Sequence, residues 1–309
     1  MMEPQLPHEA LSLVLSYLNL FELLSMNEVC RTLRDAVNND VLIWLDIIIE
    51  PPLSVRLNDD ILLTITSKAK GRLRSLALIN CAEITDDGLQ RVIQNNPHIN
   101  KLYVPGCTRL TPDGILRIVR RLTDDDDNHN LKYLRLHGLY NITKEHLQLL
   151  NSCLQVNQDE QKDPLEDRHY KFLHNQRCFS SFNDDETNNP IDVEICPKCE
   201  NVRLVYDCPK ENCRKKRATP LMECRGCCLC IPRCEGCGGC VNQAEEELEE
   251  TVCLDVLCLN CWLQLPKCNL CNRPYCHRHA DKYESMSSTT ASSTGFICDV
   301  CISRIEALL

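Results

Sequence analysis

No run of eighteen apolar residues occurs anywhere in the 309-residue chain, so no stretch is suited to cross a bilayer as a helix. The N-terminus also has no basic region followed by an apolar run, which argues against a secretory leader and for an intracellular protein in the nucleus or cytoplasm. Positive charge is in short supply. With 34 Lys and Arg against 44 Asp and Glu, the formal net charge is −10, and a polyanion such as nucleic acid is a poor partner for the chain as a whole. Neither His-Glu-x-x-His nor a His-x-Glu pair is present to set a general base beside a metal-bound water, so no catalytic metal is expected.

Cysteine, by contrast, is abundant: 24 residues, far above the usual share. In a reducing compartment such density points to metal rather than to disulfides. Nineteen of the cysteines lie between Cys196 and Cys301, and most fall in pairs at metal-ligand spacing. The pairs are Cys196 with Cys199, Cys208 with Cys213, Cys224 with Cys227, Cys234 with Cys237, Cys258 with Cys261, Cys268 with Cys271, Cys276 with His279, and Cys298 with Cys301. A two-residue gap lets both thiolates of a turn point into one tetrahedral site, so each pair supplies half of a zinc ion.

The halves make four zinc ions, or five if Cys228, Cys230, Cys240 and Cys253 also ligate. Neighbouring pairs closing one site, as in zinc ribbons, and alternate pairs interleaving, as in a cross-brace, both fit the spacing. Residues 202–206 read as a strand that suits a ribbon-like hairpin, and the four pairs from Cys258 to Cys301 suit a cross-brace. Few large apolar residues accompany these cysteines, so metal must supply much of the folding energy. Thiolate-rich, closed sites are structural, and the domain is read as non-catalytic. Glu245 to Glu250 and Ser285 to Thr294 read as solvated loops, and Arg214 to Arg217 as a basic run fit for nuclear import or for a solvated loop.

At the other end, Leu6 to Trp44 shows apolar residues at three- and four-residue steps, broken near Asn19 and Asn27. Short amphipathic helices of this total length cannot bury a stable core alone and leave an apolar face for a partner. Leu6-Pro7, Leu11, Leu15, Leu18, Glu22-Leu23-Leu24, Val29-Cys30-Arg31 and Trp44 together resemble the F-box in motif and spacing. Two positions depart from the family pattern, Ala10 and Thr32. The resemblance implies binding to the Skp-type adaptor of a cullin-RING ubiquitin ligase, and through it to cullin. It assigns adaptor contact to Leu6, Pro7, Leu11, Leu15, Leu18, Leu23, Leu24, Val29 and Cys30.

From Leu73 the chain repeats. Leu73, Leu76, Leu78, Cys81, Ile84, Thr85, Gly88 and Leu89 recur 26 residues later as Ile99, Leu102, Val104, Cys107, Leu110, Thr111, Gly114 and Ile115. A third copy runs from Leu131 to Leu147, with Leu139 in place of the Cys and His146 in place of the Gly, after an acidic insertion at Asp124 to Asp127. A degenerate copy at Leu57 to Leu62 is expected to cap the array. The period is that of leucine-rich repeats, in which a strand, a turn around a buried thiol and a helix begun at Thr form one unit that must stack on others. Thr85 and Thr111 are the expected helix caps, with Asp86 and Asp113 near the positive end of the helix dipole. The pattern resembles the cysteine-containing repeats that follow an F-box in many substrate receptors, where Cys81 and Cys107 would be core residues.

The expected architecture is therefore multi-domain: an α-helical F-box at 3–48, a short α/β leucine-rich-repeat solenoid at 53–154, a linker at 155–195 and a zinc-stabilised Cys-rich domain at 196–303. Tyr170, Phe172, Leu173, Cys178, Phe179 and Phe182 make the linker unusually aromatic, as if it packed on the last repeat. The order of parts resembles plant Skp-interacting-partner F-box proteins, which carry a Cys-rich tail. It implies a substrate-recognition subunit of a Skp-cullin-F-box ligase that presents an unidentified protein target. Two other classes compete with it. The first is a self-contained zinc-domain ligase, against which the absence of a Cys-x-His-x-x-Cys triplet argues. The second is a zinc-dependent transcriptional regulator, against which the acidic balance argues.

Overall fold

The computed structural model describes residues 14–123, 131–154, 189–215, 224–241, 251–276, 279 and 296–307. The chain divides into two compact units: Met1–Glu166 with Asn188–Ile195 and Asn201–Arg203, and Asp167–Thr187 with Cys196–Glu200 and Leu204–Leu309. Among the described residues no helix is long and apolar enough to cross a membrane.

The first unit opens with helices α1 (Leu20–Val29) and α2 (Arg31–Asn39). Asn19 starts α1 through a reciprocal capping box with Glu22: each side chain accepts from the other's backbone N–H at 2.9 Å. The break expected near Asn27 falls instead at Cys30, whose extended backbone (φ −158°) separates the two helices. Asn27 stays helical because its amide donates to the carbonyl of Leu23 within the same helix. Arg34 Nε then donates to the Asn27 carbonyl at 2.8 Å and folds α2 back on α1.

The two helices share one apolar core with the strands and helices C-terminal to them and do not form a free-standing plug. Trp44 is the junction. It is fully buried, its indole N–H donates to the carbonyl of Val37 at 2.8 Å, and Lys68 Nζ sits 5.0 Å above its ring. Immediately after it, β1 (Asp46–Ile49) enters a parallel sheet of order β1-β2-β3-β4, with β2 at Ser75–Leu78, β3 at Lys101–Tyr103 and β4 at Tyr133–Arg135. Helices α3 (Asp59–Ser67), α4 (Asp86–Asn95), α5 (Pro112–Thr123) and α6 (Lys144–Cys153) return the chain from each strand to the next position and pack on their neighbours in sequence. The first strand falls within the 3–48 segment, where no strand is expected from the sequence. Its Ile47 and Ile49 are buried against the sheet.

Cys81 and Cys107 are buried at the turns after β2 and β3, and the Cys107 S–H donates to the Leu78 carbonyl at 3.2 Å. Asn80 (φ +55°) and Gly106 (φ +68°) turn the chain in the left-handed conformation just before them. The helix starts are more elaborate than single caps. Thr85 and Thr111 accept from Gly88 N and Gly114 N, but each Thr is itself held by the preceding helix. Asp59 accepts from Thr85 N and Oγ1, and Asp86 accepts from Thr111 N and Oγ1 at 2.9 and 2.6 Å. Asp86 thus serves the next unit as well as its own helix dipole.

The glycines make room for these carboxylates: a Cβ on Gly88 or Gly114 would overlap the Asp59 or Asp86 carboxyl. In the third unit Pro112 stands at the Asp position and has no carboxylate to give. His146 stands at the Gly position, and its Nδ1 accepts from Thr143 N at 3.1 Å in the carboxylate's place. Gly114→Ala should therefore destabilise, although Gly→Ala in an ordinary helix interior stabilises by up to about 1 kcal/mol. The expected loss is ~1–3 kcal/mol from expelling Asp86 and orphaning the Thr111 amide, read as a lower urea midpoint.

Residues 189–195 are not the linker the sequence predicts. Pro190 C=O accepts from Leu134 N at 2.7 Å, Ile191 and Val193 are buried in the core, and Asp192 accepts from Leu136 N, His137 N and His137 Nδ1. This segment covers the exposed edge of β4 and then forms a short antiparallel pair, β5 (Glu194–Ile195) with β6 (Val202–Arg203). Burial raises the Asp192 pKa, but the His137 contacts and the Leu136 amide outweigh it, and the net shift is downward. A depressed folded-state pKa contributes stability above the ordinary carboxylate range, lost as pH falls through the folded value. The protection factor of the Leu136 amide, its rate relative to the intrinsic rate at each pH, should fall on such acidification in the wild type, and should be low already at neutral pH in Asp192→Ala. The aromatic segment from Tyr170 to Phe182, Cys178 included, lies outside the described residues, as do Asp124 to Asp127, Glu245 to Glu250 and Ser285 to Thr294.

Candidate metal centres and docking face

In the second unit the cysteines converge into four clusters of four sulfurs. The first joins Cys196, Cys199, Cys227 and Cys230; the second joins Cys208, Cys213, Cys224 and Cys240; the third joins Cys234, Cys237, Cys258 and Cys261; the fourth joins Cys268, Cys271, Cys298 and Cys301. A fifth cluster brings Cys253, Asp255, Cys276 and His279 together. A tetrahedral ion with metal–sulfur bonds of about 2.3 Å needs sulfurs about 3.8 Å apart. Separations are 3.9 Å for Cys199–Cys227, 3.8 Å for Cys213–Cys240, 3.7 Å for Cys224–Cys240, 3.8 Å for Cys237–Cys258 and 3.8 Å for Cys271–Cys298, with Cys213–Cys224 shorter at 3.3 Å. The four-sulfur sets fit zinc in number, donor type and spacing.

Backbone donors hold the leading sulfurs. Cys227 N donates to Cys196 Sγ, Cys240 N to Cys208 Sγ and Cys298 N to Cys268 Sγ from the partner segment of each cluster, and Gly236 N donates to Cys234 Sγ within its own turn, all at 3.3–3.4 Å. Such donors favour thiolate over thiol. In each cluster one thiol is accordingly acidic. Burial pushes Cys196 and Cys268 up, yet surrounding amides bring both down to about 6, and Cys208 moves the same way. For Cys234 the Cys237 thiol is the largest influence, and its pKa falls to about 4.

The sulfurs around them are driven the other way, chiefly by burial: Cys230, Cys261 and Cys298 to about 12 and Cys240 to about 11. Four sulfurs at this spacing ionise together only around a cation. Two buried arginines bracket this part of the chain. Arg225 pairs with Asp207 at 2.7 Å, and Arg233 donates to the carbonyls of Tyr206 and Cys224.

The pairing differs from the nearest-neighbour reading in one place. Cys224 and Cys227 do not act together: Cys224 turns to the second cluster, while Cys227 pairs with Cys230 across an equal two-residue gap. Cys230, Cys240 and Cys253 join clusters, whereas Cys228 is exposed and belongs to none. The four pairs from Cys258 to Cys301 do not form a cross-brace among themselves, because Cys258 and Cys261 close backward onto Cys234 and Cys237, and Cys276 and His279 onto Cys253 and Asp255. Interleaving is nonetheless the rule in this region. Asp255 carries no signal in the sequence; one carboxylate among 44 acidic residues is not distinguishable.

On the helical part of the first unit, Leu6, Pro7 and Leu11 lie outside the described residues. Leu15 and Leu23 are buried and face the core, so they support the helices and present nothing to a partner. Leu18 and Leu24 are half-buried, and Val29 and Cys30 are exposed. Among the described residues of this part, the apolar side chains most open to solvent are Val14, Tyr17, Phe21, Val29 and, beside Trp44, Leu42, with Tyr17 88% exposed. Tyr17 and Phe21 are absent from the contacts that the F-box motif assigns, although both lie within the helical period.

A family model described as F-box-like matches residues 4–50, and one described as At3g27290 F-box protein C-terminal domain matches residues 192–270. The chain is 42% identical over 301 residues to F-box protein SKIP28 of Arabidopsis thaliana, a match spanning 96% of this chain and 90% of that protein. It belongs to the F-box proteins. More particularly, it is similar to two further members from the same plant: F-box protein SKIP14, 40% identical over 268 residues, and F-box protein At3g27290, 37% identical over 257 residues. These matches span 85% and 82% of this chain but 56% and 65% of the relatives.

Proposed function

We propose that the chain is the substrate-recognition subunit of a Skp-cullin-F-box ubiquitin ligase, a non-catalytic adaptor working in the nucleus or cytoplasm. The observation that carries this reading is the solvent-open apolar face of Val14, Tyr17, Phe21 and Val29 within the F-box-like segment. Apolar side chains left exposed on one helical unit fit a partner's groove better than they fit water. The parallel strand–helix units are read as leucine-rich repeats, supported by their 26-residue period and by stacking in sequence order. They hold the F-box helices rigidly, because Trp44 and β1 belong to one core with them.

The second unit is read as a zinc domain of four closed thiolate sites that recognises the protein target. A closed site has no open coordination position for a substrate, which supports a structural role. The chain's contribution to ubiquitin transfer is then positional: a target lysine held near the charged enzyme gains effective concentration.

Co-purification of the full chain with a Skp-type adaptor tests the reading. Wild type should give a stoichiometric complex, and Tyr17→Asp with Phe21→Asp should lose it while zinc content and thermal unfolding stay unchanged, since both side chains are exposed. Absence of a wild-type complex would overturn the assignment and return ligase or regulator activity of the second unit to first place.

A further inference from the structure

The cluster of Cys253, Asp255, Cys276 and His279 differs from the other four in chemistry. Its donors are two sulfurs, one carboxylate oxygen and one imidazole nitrogen. Cys276 Sγ lies 2.9 Å from Asp255 Oδ2 and 3.2 Å from His279 Nδ1, and that nitrogen lies 3.3 Å from the same carboxylate oxygen. Tetrahedral zinc with mixed S, N and O donors needs separations of about 3.3–3.6 Å, so an ion seats once the Asp255 carboxylate moves about 0.6 Å away from Cys276 Sγ, with smaller shifts elsewhere. The local turn is built as in the thiolate sites. His279 N donates to Cys276 C=O at 2.9 Å, as Cys230 N does to Cys227 C=O at 3.1 Å, and Cys276 N donates to Cys253 Sγ as Cys227 N does to Cys196 Sγ.

Its place in the chain joins two neighbouring sites, as the second cluster's Cys224 and Cys240 join the first and third. Cys253 and Asp255 lie inside the loop spanned by the third site, between Cys237 and Cys258, while Cys276 and His279 lie inside the loop spanned by the fourth, between Cys271 and Cys298. The packing crosses in the same way. Cys276 is buried in the apolar cluster around Cys234, Leu257, Trp262 and Cys258, and Cys253 packs also against the cluster around Tyr275, Phe296 and Cys298. Val252 N donates to Pro274 C=O beside the junction.

We propose that these four side chains bind a fifth zinc ion, and that this ion is the exchangeable one that latches the third and fourth zinc modules together. The inference rests on the reading of the second unit as a zinc domain. Two physical arguments make the ion labile. Imidazole and carboxylate hold zinc less tightly than two further thiolates would. Their side chains are also 37% and 24% exposed, which gives water and chelator a path to the metal. Loss of this ion leaves each neighbouring module with its own four sulfurs but removes the only coordination that joins them among the described residues.

The test uses the full zinc-loaded protein, with metal counted by mass spectrometry and its release followed with a chromophoric chelator. Wild type should hold five equivalents, one for each described cluster, with one leaving in a separate faster phase. Asp255→Asn and His279→Ala should each hold four and lose the fast phase. In both variants, and in wild type after the fast phase, amide exchange at Val252 and Trp262 should rise while amides of the first and second sites keep their protection. A wild type with four equivalents released in one phase overturns the site. Unchanged exchange at Val252 after the fast equivalent has left overturns the latch. Protein that holds no zinc at all overturns the zinc-domain reading itself, a separate outcome. Asp255→Asn keeps size and shape, so a folding defect confined to His279→Ala leaves the first variant to decide.

Discussion

Removal of zinc by a strong chelator should unfold the second unit and leave the parallel sheet of the first intact. The apolar clusters of the second unit are three small groups, each built largely from the ligating cysteines themselves. Those clusters disperse when the sulfurs separate. A structural zinc site contributes on the order of 10–16 kcal/mol to the fold it closes, as much as the whole net stability of a typical domain, about 5–15 kcal/mol. The first unit has no such dependence, since its core runs continuously from Leu15 to Val193 through aliphatic side chains.

The chain carries two tryptophans, and each unit has one: Trp44, fully buried, in the first and Trp262, nearly so, in the second. Chelation should therefore shift the emission of Trp262 to that of a solvated indole in a Trp44→Phe protein. Emission in a Trp262→Phe protein should stay unchanged. Retention of a buried Trp262 signal with no metal bound would show that apolar packing suffices for the second unit.

Trp44→Ala should cost the first unit about 3–5 kcal/mol, the range for truncating a large aromatic in a packed core. Several contacts fail together. The cavity opens between α2 and β1, the Val37 carbonyl loses its indole donor, and Lys68 loses the ring beneath it while keeping its bond to Asn38 Oδ1. Urea unfolding followed at 222 nm should show a lower midpoint with an unchanged slope. Because Trp44 ties the F-box helices to the sheet, adaptor binding should weaken although no residue of the exposed face has been altered. A midpoint within about 0.5 kcal/mol of wild type, the scatter of surface substitutions, would mean that the helices do not depend on this contact.

Much of this organisation is visible in the residues because local rules govern it. Asn19 and Glu22 are spaced for a capping box, Thr85 and Thr111 precede apolar runs, and a repeated period of 26 needs no knowledge of the fold. The features hidden from the sequence depend on contacts between distant segments. Asp59 and Asp86 look like ordinary first-turn acids, and their second task appears only when the next unit stacks. Cys224 and Cys227 look like a pair because a two-residue gap is all the sequence displays. Cys227 and Cys230 have the same gap, and the choice between them is made by where Cys196 and Cys208 lie in space. Residues 189–195 come after a polar stretch, and the strict alternation of Ile191, Val193 and Ile195 with Asp192 and Glu194 is a strand signal too short to show where it pairs; that Asp192 finds three donors at the edge of β4 depends on a distant segment.

The carboxylate relay between units also sets how far the array can run. A unit that takes an acid from its predecessor through Gly and hands one on from its first helical residue can be duplicated: a copy of residues 86–111 spliced in tandem would find both its donor and its acceptor waiting. Pro112 ends that direct hand-over: at Thr143 the acceptor is His146 Nδ1, and the preceding helix reaches only the far side of the ring, with Asp113 Oδ1 3.5 Å from His146 Nε2. The middle of the array is thus built to be copied, and its C-terminal side is not.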